Sequence, residues 1–147
     1  MHVNAAQSPH PKLVELSELL VGTWRVSGPG IEGEAEYRAK KEGGLLVAHV
    51  DFLVNGNRMT VLQHITYRQA TNTLRAQYMD TMGDEATYTW VLDHPEIRVS
   101  LGEKESDTYF RAILNADNSQ YVGSWHYPDG PPDPPEEIVY TRVNRRD

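Results

Sequence analysis

Three side chains of one stretch, His49, Asp51 and His64, have the types that catalysis and metal binding use. A His–Asp pair can act as a general base with its orienting carboxylate, and two histidines plus a carboxylate can hold Zn or Fe. His49 and Asp51 stand two apart, so in a strand they share a face, and His64 joins them only across a hairpin. That spacing is a loose match to any named site. The plainer reading is a solvated outer face carrying ordinary ion pairs, and the choice turns on which strand face points inward. His126, in Trp125-His126-Tyr127, stands either at the entrance to an interior or on the surface. Asp80, Asp84 and Glu85 flank Gly83 without the spacing of a calcium loop and read as a solvated turn. Ser17, Ser100, Ser106 and Ser124 lack a Gly-x-Ser-x-Gly elbow. Gly28-Pro29-Gly30 and Gly43-Gly44 serve turns, not the strand-to-helix junctions that hold phosphates.

The second set of interest is aromatic, and the elements that carry it are strands. From Thr23 onward the apolar period is two, and turn residues recur about every ten positions. Strands are predicted at 23–27, 33–41, 45–54, 58–67, 73–79, 86–92, 96–101, 107–115, 120–127 and 136–143. Asn55-Gly56 between two alternating runs is the strongest hairpin signal. If it is the two-residue turn, Val54 pairs with Asn57, and Leu46, Ala48, Val50 and Phe52 share a face with Met59, Val61, Gln63 and Ile65. The next hairpin, with Tyr67 near Leu74, adds Leu74, Ala76 and Tyr78. Continuing the alternation brings in Tyr88, Trp90, Leu92, then Ile97, Val99, Leu101, then Phe110, Ala112, Leu114. Tyr121, Gly123, Trp125, Ile138, Tyr140 and Arg142 follow, with Tyr37 from the second strand. The opposite face holds His49, Asp51 and His64 among Val47, Leu53 and Leu62, a patchily apolar surface that suits a homodimer interface or a docked helix.

Ahead of the strands, Leu13, Leu16, Leu19 and Leu20 fall on one helical stripe, with a start signal at Ser8 or Pro9 and Pro11 in the first turn. About nine residues make a marginal helix, so it must lean on something, and a barrel end is the natural surface. No segment supports a crossover helix, so neighbouring strands run up and down, and closure removes the edges that ten strands would otherwise expose. The expected fold is all-β: a closed antiparallel up-and-down barrel of about 8–10 strands, its end capped by a short N-terminal helix. Residues 1–8 read as a disordered leader and 9–147 as one domain. Pro128-Asp129-Gly130-Pro131-Pro132-Asp133-Pro134-Pro135 reads as a stiff surface loop beside the closing strand.

Composition excludes several functions. A net charge of −7 argues against nucleic acid, which needs clustered Lys and Arg. The one basic run, Arg142, Arg145 and Arg146, reads as a solvated tail. The absence of cysteine removes disulfides, thiol nucleophiles and thiolate metal sites. No signal peptide and no apolar run of membrane-spanning length is visible, so a cytoplasmic, membrane-free protein without a cofactor is expected.

Gly22-x-Trp24 after a short helix, with Arg142 in the last strand, resembles the calycin barrels: lipocalins, fatty-acid binders and nitrobindin-like proteins. The resemblance implies that Trp24 plugs the barrel end and Arg142 lies across its indole. Leu16–Leu20, Glu42-Gly43-Gly44-Leu45-Leu46, Thr66-Tyr67, Tyr78-Met79-Asp80 and Tyr140-Thr141-Arg142 are similar to a bacterial group of the DUF1579 type over roughly residues 13–143. The haem-binding branch has a histidine in its last strands, where this chain reads Pro135-Glu136-Glu137-Ile138-Val139-Tyr140. The inward face is apolar, with Gln63, tyrosine hydroxyls and Arg142 as its polar groups, the general form of a small-molecule site. A small apolar or aromatic ligand is therefore expected inside, touching Tyr37, Phe52, Gln63, Tyr78, Trp90, Trp125 and Tyr140. Two alternatives stand beside it. Some calycin-fold enzymes, cyclases and decarboxylases among them, resemble this design, which implies chemistry on a polyene or phenolic substrate in the same cavity. In the other, the rings fill the barrel solidly.

Overall fold

The computed structural model describes residues 9–129 and 136–143. One helix, α1 (Pro11–Leu20), precedes ten strands. These are β1 (Gly22–Gly28), β2 (Ile31–Lys40), β3 (Leu45–Val54), β4 (Asn57–Arg68) and β5 (Thr73–Asp80). They continue with β6 (Glu85–Asp93), β7 (Glu96–Leu101), β8 (Tyr109–Leu114), β9 (Gln120–His126) and β10 (Ile138–Arg142). Each strand pairs antiparallel with its sequence neighbours, and β1 pairs with β10, so the sheet closes on itself. Closure leaves no exposed edge among these strands.

The register follows from the turns. Asn55 and Gly56 both have positive φ, +51° and +85°, as a tight hairpin of matching twist requires. Val54 accordingly pairs with Asn57, Leu46 with Ile65, and on the next hairpin Tyr67 with Leu74. A slip of one residue would turn every ring of these strands outward. Leu46, Ala48, Val50, Val61, Ile65, Leu74 and Ala76 are instead buried on the inner face.

The helix closes one end of the barrel. Leu13, Leu16 and Leu20 are buried, and α1 packs on β2, β3 and β4. It therefore rests on the barrel end and not on the outer wall of Val47, Leu53 and Leu62. Its cap is His10, whose Nδ1 accepts from the Lys12 amide at 3.1 Å and whose ring stacks on Tyr67 at 3.6 Å. The cap thus falls two residues beyond Ser8 and one beyond Pro9, because Pro11 occupies the first helical position and the residue before it must cap.

Two more expectations shift. Leu101 continues the inward alternation of β7 yet is 41% exposed, since it ends the strand where Gly102 turns the chain. The second strand begins at Ile31 instead of 33, which carries its inner face further toward the open end. The leader 1–8, most of the proline loop (130–135) and Arg145 and Arg146 lie outside the described residues. No helix among the described residues is long and apolar enough to cross a membrane.

Candidate functional site

The closed end is built from the junction of α1 and β1. The last carbonyls of a helix have no partner within it. Here the indole Nε1 of Trp24 donates to Leu20 O at 2.9 Å, and Arg142 donates to Leu19 O at 2.5 Å and Val21 O at 2.9 Å. The guanidinium carbon stands 4.3 Å above the Trp24 ring. Gly22 makes this possible: its φ is +129°, and a Cβ there would stand 2.7 Å from Arg142 Nη1. Trp24 is fully buried. The expected closure by Trp24 and Arg142 is therefore the observed geometry, with Arg142 also capping the helix.

Between this floor and the opposite mouth lies a cavity of about 230 Å³. Tyr37, Phe52, Gln63, Tyr78, Trp90, Trp125 and Tyr140 all line it. An apolar void of roughly 150 Å³ accommodates benzene, so the space suits a molecule of one or two rings. The rings hold one another apart from the centre. Tyr121 and Tyr140 stack at 4.4 Å, Trp24 meets Tyr121 edge-on at 5.0 Å, and Tyr88 meets Tyr78 edge-on at 5.4 Å. Such pairs are fixed in geometry by their quadrupoles, so the wall resists collapse into the void.

The polar groups of the wall are few and mostly paired. Trp90 Nε1 donates to Gln63 Oε1 at 3.1 Å, and the Tyr37 and Tyr121 hydroxyls lie 3.1 Å apart. Tyr78 donates to Asp80 at 2.6 Å. Burial pushes the Tyr37 hydroxyl up to about 12, with its bond to Tyr121 acting weakly the other way. Burial likewise raises Tyr121 and Tyr140. Tyr78 rises through burial first and then through the Asp80 carboxylate it bonds. All are neutral at physiological pH; the Tyr78 hydrogen is spent on Asp80 and one hydrogen of the Tyr37–Tyr121 pair is spent between them, which leaves Tyr140 and the other hydrogen of that pair to orient a ligand dipole.

The remaining candidates lie elsewhere. His49 and His64 are exposed on the outer wall, with His49 Nδ1 3.9 Å from Asp51 Oδ2 and both side chains 48% exposed. Asp51 accepts from Thr60 Oγ1 at 2.5 Å. Among the described residues no three His, Cys, Asp or Glu side chains gather as metal ligands. His126 stacks on Tyr109 at 4.7 Å, and Arg98 covers the Tyr109 ring at 4.0 Å, which fixes this trio on one wall patch. Asp80 accepts from Tyr78 and from the amides of Met82 and Asp84, so its oxygens are spent on the turn. A wider groove of about 410 Å³ runs outside the barrel past Arg25, Glu32, Asp51 and Arg58. Its charged, open character suits solvent better than an apolar guest.

Sequence reasoning passed over one wall residue, Ile31, and left Tyr88 and Tyr121 on the inward face without naming them as ligand contacts. Tyr88 and Tyr121 carry the inward alternation and line the cavity, and Ile31 lines its mouth. Two steps back from Gly33 along the same alternation would have reached Ile31. The chain matches no family model and no curated protein.

Proposed function

We propose that this protein is a calycin-like barrel, of the DUF1579 type by its motifs, that binds a small apolar or aromatic molecule in its lumen. The observation that carries this reading is the cavity of about 230 Å³ walled by tyrosine and tryptophan rings. Protein interiors normally close to crystal-like density, with few voids larger than a water molecule. A void of this size behind a helix-sealed floor, open at the other end, has the form of a ligand site. The closed end supports the same reading, since Trp24 and Arg142 seal the floor without entering the cavity.

The test is occupancy. Protein isolated from its own host is sprayed under native conditions, and a bound small molecule adds mass that disappears on unfolding. Recombinant protein is titrated in parallel with 2-acetonaphthone while tryptophan emission is followed, because Trp90 and Trp125 line the cavity. Val50→Phe places a ring into the void from the buried inner face of β3. That variant is expected to fold and to lose at least tenfold in affinity. No retained mass and no quenching in the wild type would defeat the proposal.

A further inference from the structure

The lumen's hydrogen-bonding groups narrow the ligand class, an inference that rests on the binding role just proposed. Every described residue that lines the cavity is uncharged: among the described residues Asp, Glu, Lys, Arg and His are all missing from its wall. A carboxylate or an ammonium group inside would lose its water without gaining a counter-ion. An uncharged occupant is favoured on that ground alone.

Gln63 then gives the polarity of the contact. The indole Nε1 of Trp90 is a donor and cannot accept, so the atom facing it at 3.1 Å must be the amide oxygen. This removes the usual ambiguity between amide O and N. The Gln63 oxygen accepts from Trp90, and its NH2 group has no partner among the described residues. The hydroxyl of Tyr140, another wall residue, is also without a partner there. The Tyr37–Tyr121 pair shares one hydrogen between two oxygens, which leaves the second hydrogen unspent. The Gln63 NH2 is therefore a wall group that can only donate, on an otherwise apolar surface whose free tyrosine hydroxyls either donate or accept. Burial holds the Tyr140 hydroxyl protonated well past neutral pH, so it keeps its hydrogen to give.

We propose that the lumen selects an uncharged, flat molecule of one or two rings that carries a carbonyl oxygen, which accepts from the Gln63 amide. Ketones, quinones and lactones of that size belong to this class, whereas fatty acids and aromatic carboxylates do not.

The experiment compares three naphthalenes of one shape by quenching of tryptophan emission at neutral pH. In 2-acetonaphthone the side group is a ketone, in 2-isopropenylnaphthalene a CH2 replaces its oxygen, and 2-naphthoate carries a charge. The ketone is expected to bind about five- to tenfold tighter than the alkene, the usual worth of one net hydrogen bond. The naphthoate is expected to bind at least about a hundredfold more weakly than the ketone. In Gln63→Met combined with Trp90→Phe, which removes the indole donor that loss of its Gln63 acceptor would free, the ketone's advantage over the alkene should fall to less than about twofold. Should that variant fail to fold, Gln63→Leu is scored by its loss of part of the same ratio. Equal binding of ketone and alkene, or tight binding of naphthoate, overturns the ligand class and leaves the pocket standing. Binding of none of the three overturns the pocket and this inference with it.

Discussion

Replacing Arg142 by alanine removes three contacts at the sealed end in one step. The guanidinium loses its place 4.3 Å over Trp24, and the carbonyls of Leu19 and Val21 lose their donors. The cation–π contact is worth about 0.5–2 kcal/mol. A hydrogen bond from a charged donor is worth about 1.5–3 kcal/mol, less here because Arg142 is half-exposed and water can replace it. The sum is about 2–4 kcal/mol. For a domain of this size each kcal/mol moves the melting midpoint by about 2–4 °C, so a fall of roughly 5–15 °C is expected. Arg142→Lys keeps the charge without the planar fork that serves two carbonyls and the ring together, and should recover less than half of the loss. Thermal melts by circular dichroism and urea unfolding supply the two stabilities. Arg142 does not line the cavity, so affinity for 2-acetonaphthone, measured well below the melting range, should change by less than about twofold. An unchanged midpoint refutes the pairing. Lost affinity at unchanged stability would refute the assignment of Arg142 to structure.

Two further perturbations probe the same frame. Gly22→Ala forces a side chain into φ +129° and against Arg142 Nη1, so a loss of about 1–3 kcal/mol is expected; because both changes disturb one contact, the double variant with Arg142→Ala should lose less than the sum of the singles. Alkali should loosen the barrel through its buried hydroxyls. Tyr37 ionises near 12 when folded and near 10 when unfolded, so the folded chain holds the proton more tightly. Its contribution is whole below about pH 10 and is lost as pH rises from there toward 12, at up to about 1.4 kcal/mol per pH unit. Urea midpoints measured from pH 8 upward should hold and then fall in that window, and Tyr37→Phe should flatten the fall. Tyrosinate absorbance from Tyr37 near pH 10 with the fold intact would mean that water reaches the hydroxyl freely.

The strand pattern was legible because it is local. Asn55-Gly56 carries its own backbone demand, and once Val54 faces Asn57 the alternation assigns each side chain of two strands to a face. The helix stripe of Leu13, Leu16 and Leu20 was legible for the same reason. Position 10 was not, because a histidine cap with its ring on Tyr67 depends on a residue 57 positions away that only the fold brings near. The pairing of Gln63 with Trp90 spans 27 residues, and that of Tyr78 with Asp80 depends on how the following turn folds back. The hollow itself is the least legible feature. The same inward-facing rings could fill a tighter barrel, and whether they meet in the middle depends on strand number and stagger, which no single stretch encodes.

The void opposes stability, which is why its persistence bears on function. Apolar cavities cost roughly 24 cal/mol per Å³, so about 230 Å³ left empty corresponds to on the order of 5 kcal/mol of packing forgone. Water entering by the mouth relieves part of this, but the aromatic wall offers it few partners. Val50, Val61 and Ala48 all face the space from buried positions, and larger side chains there would fill it without moving a strand. Val50→Phe should therefore fold at least as stably as the parent while it loses the guest. That combination, more stability with less binding, is the signature of a site maintained against packing. If the filled variant melts lower, the rings around the hollow are already at their limit, and the space is a by-product of barrel closure.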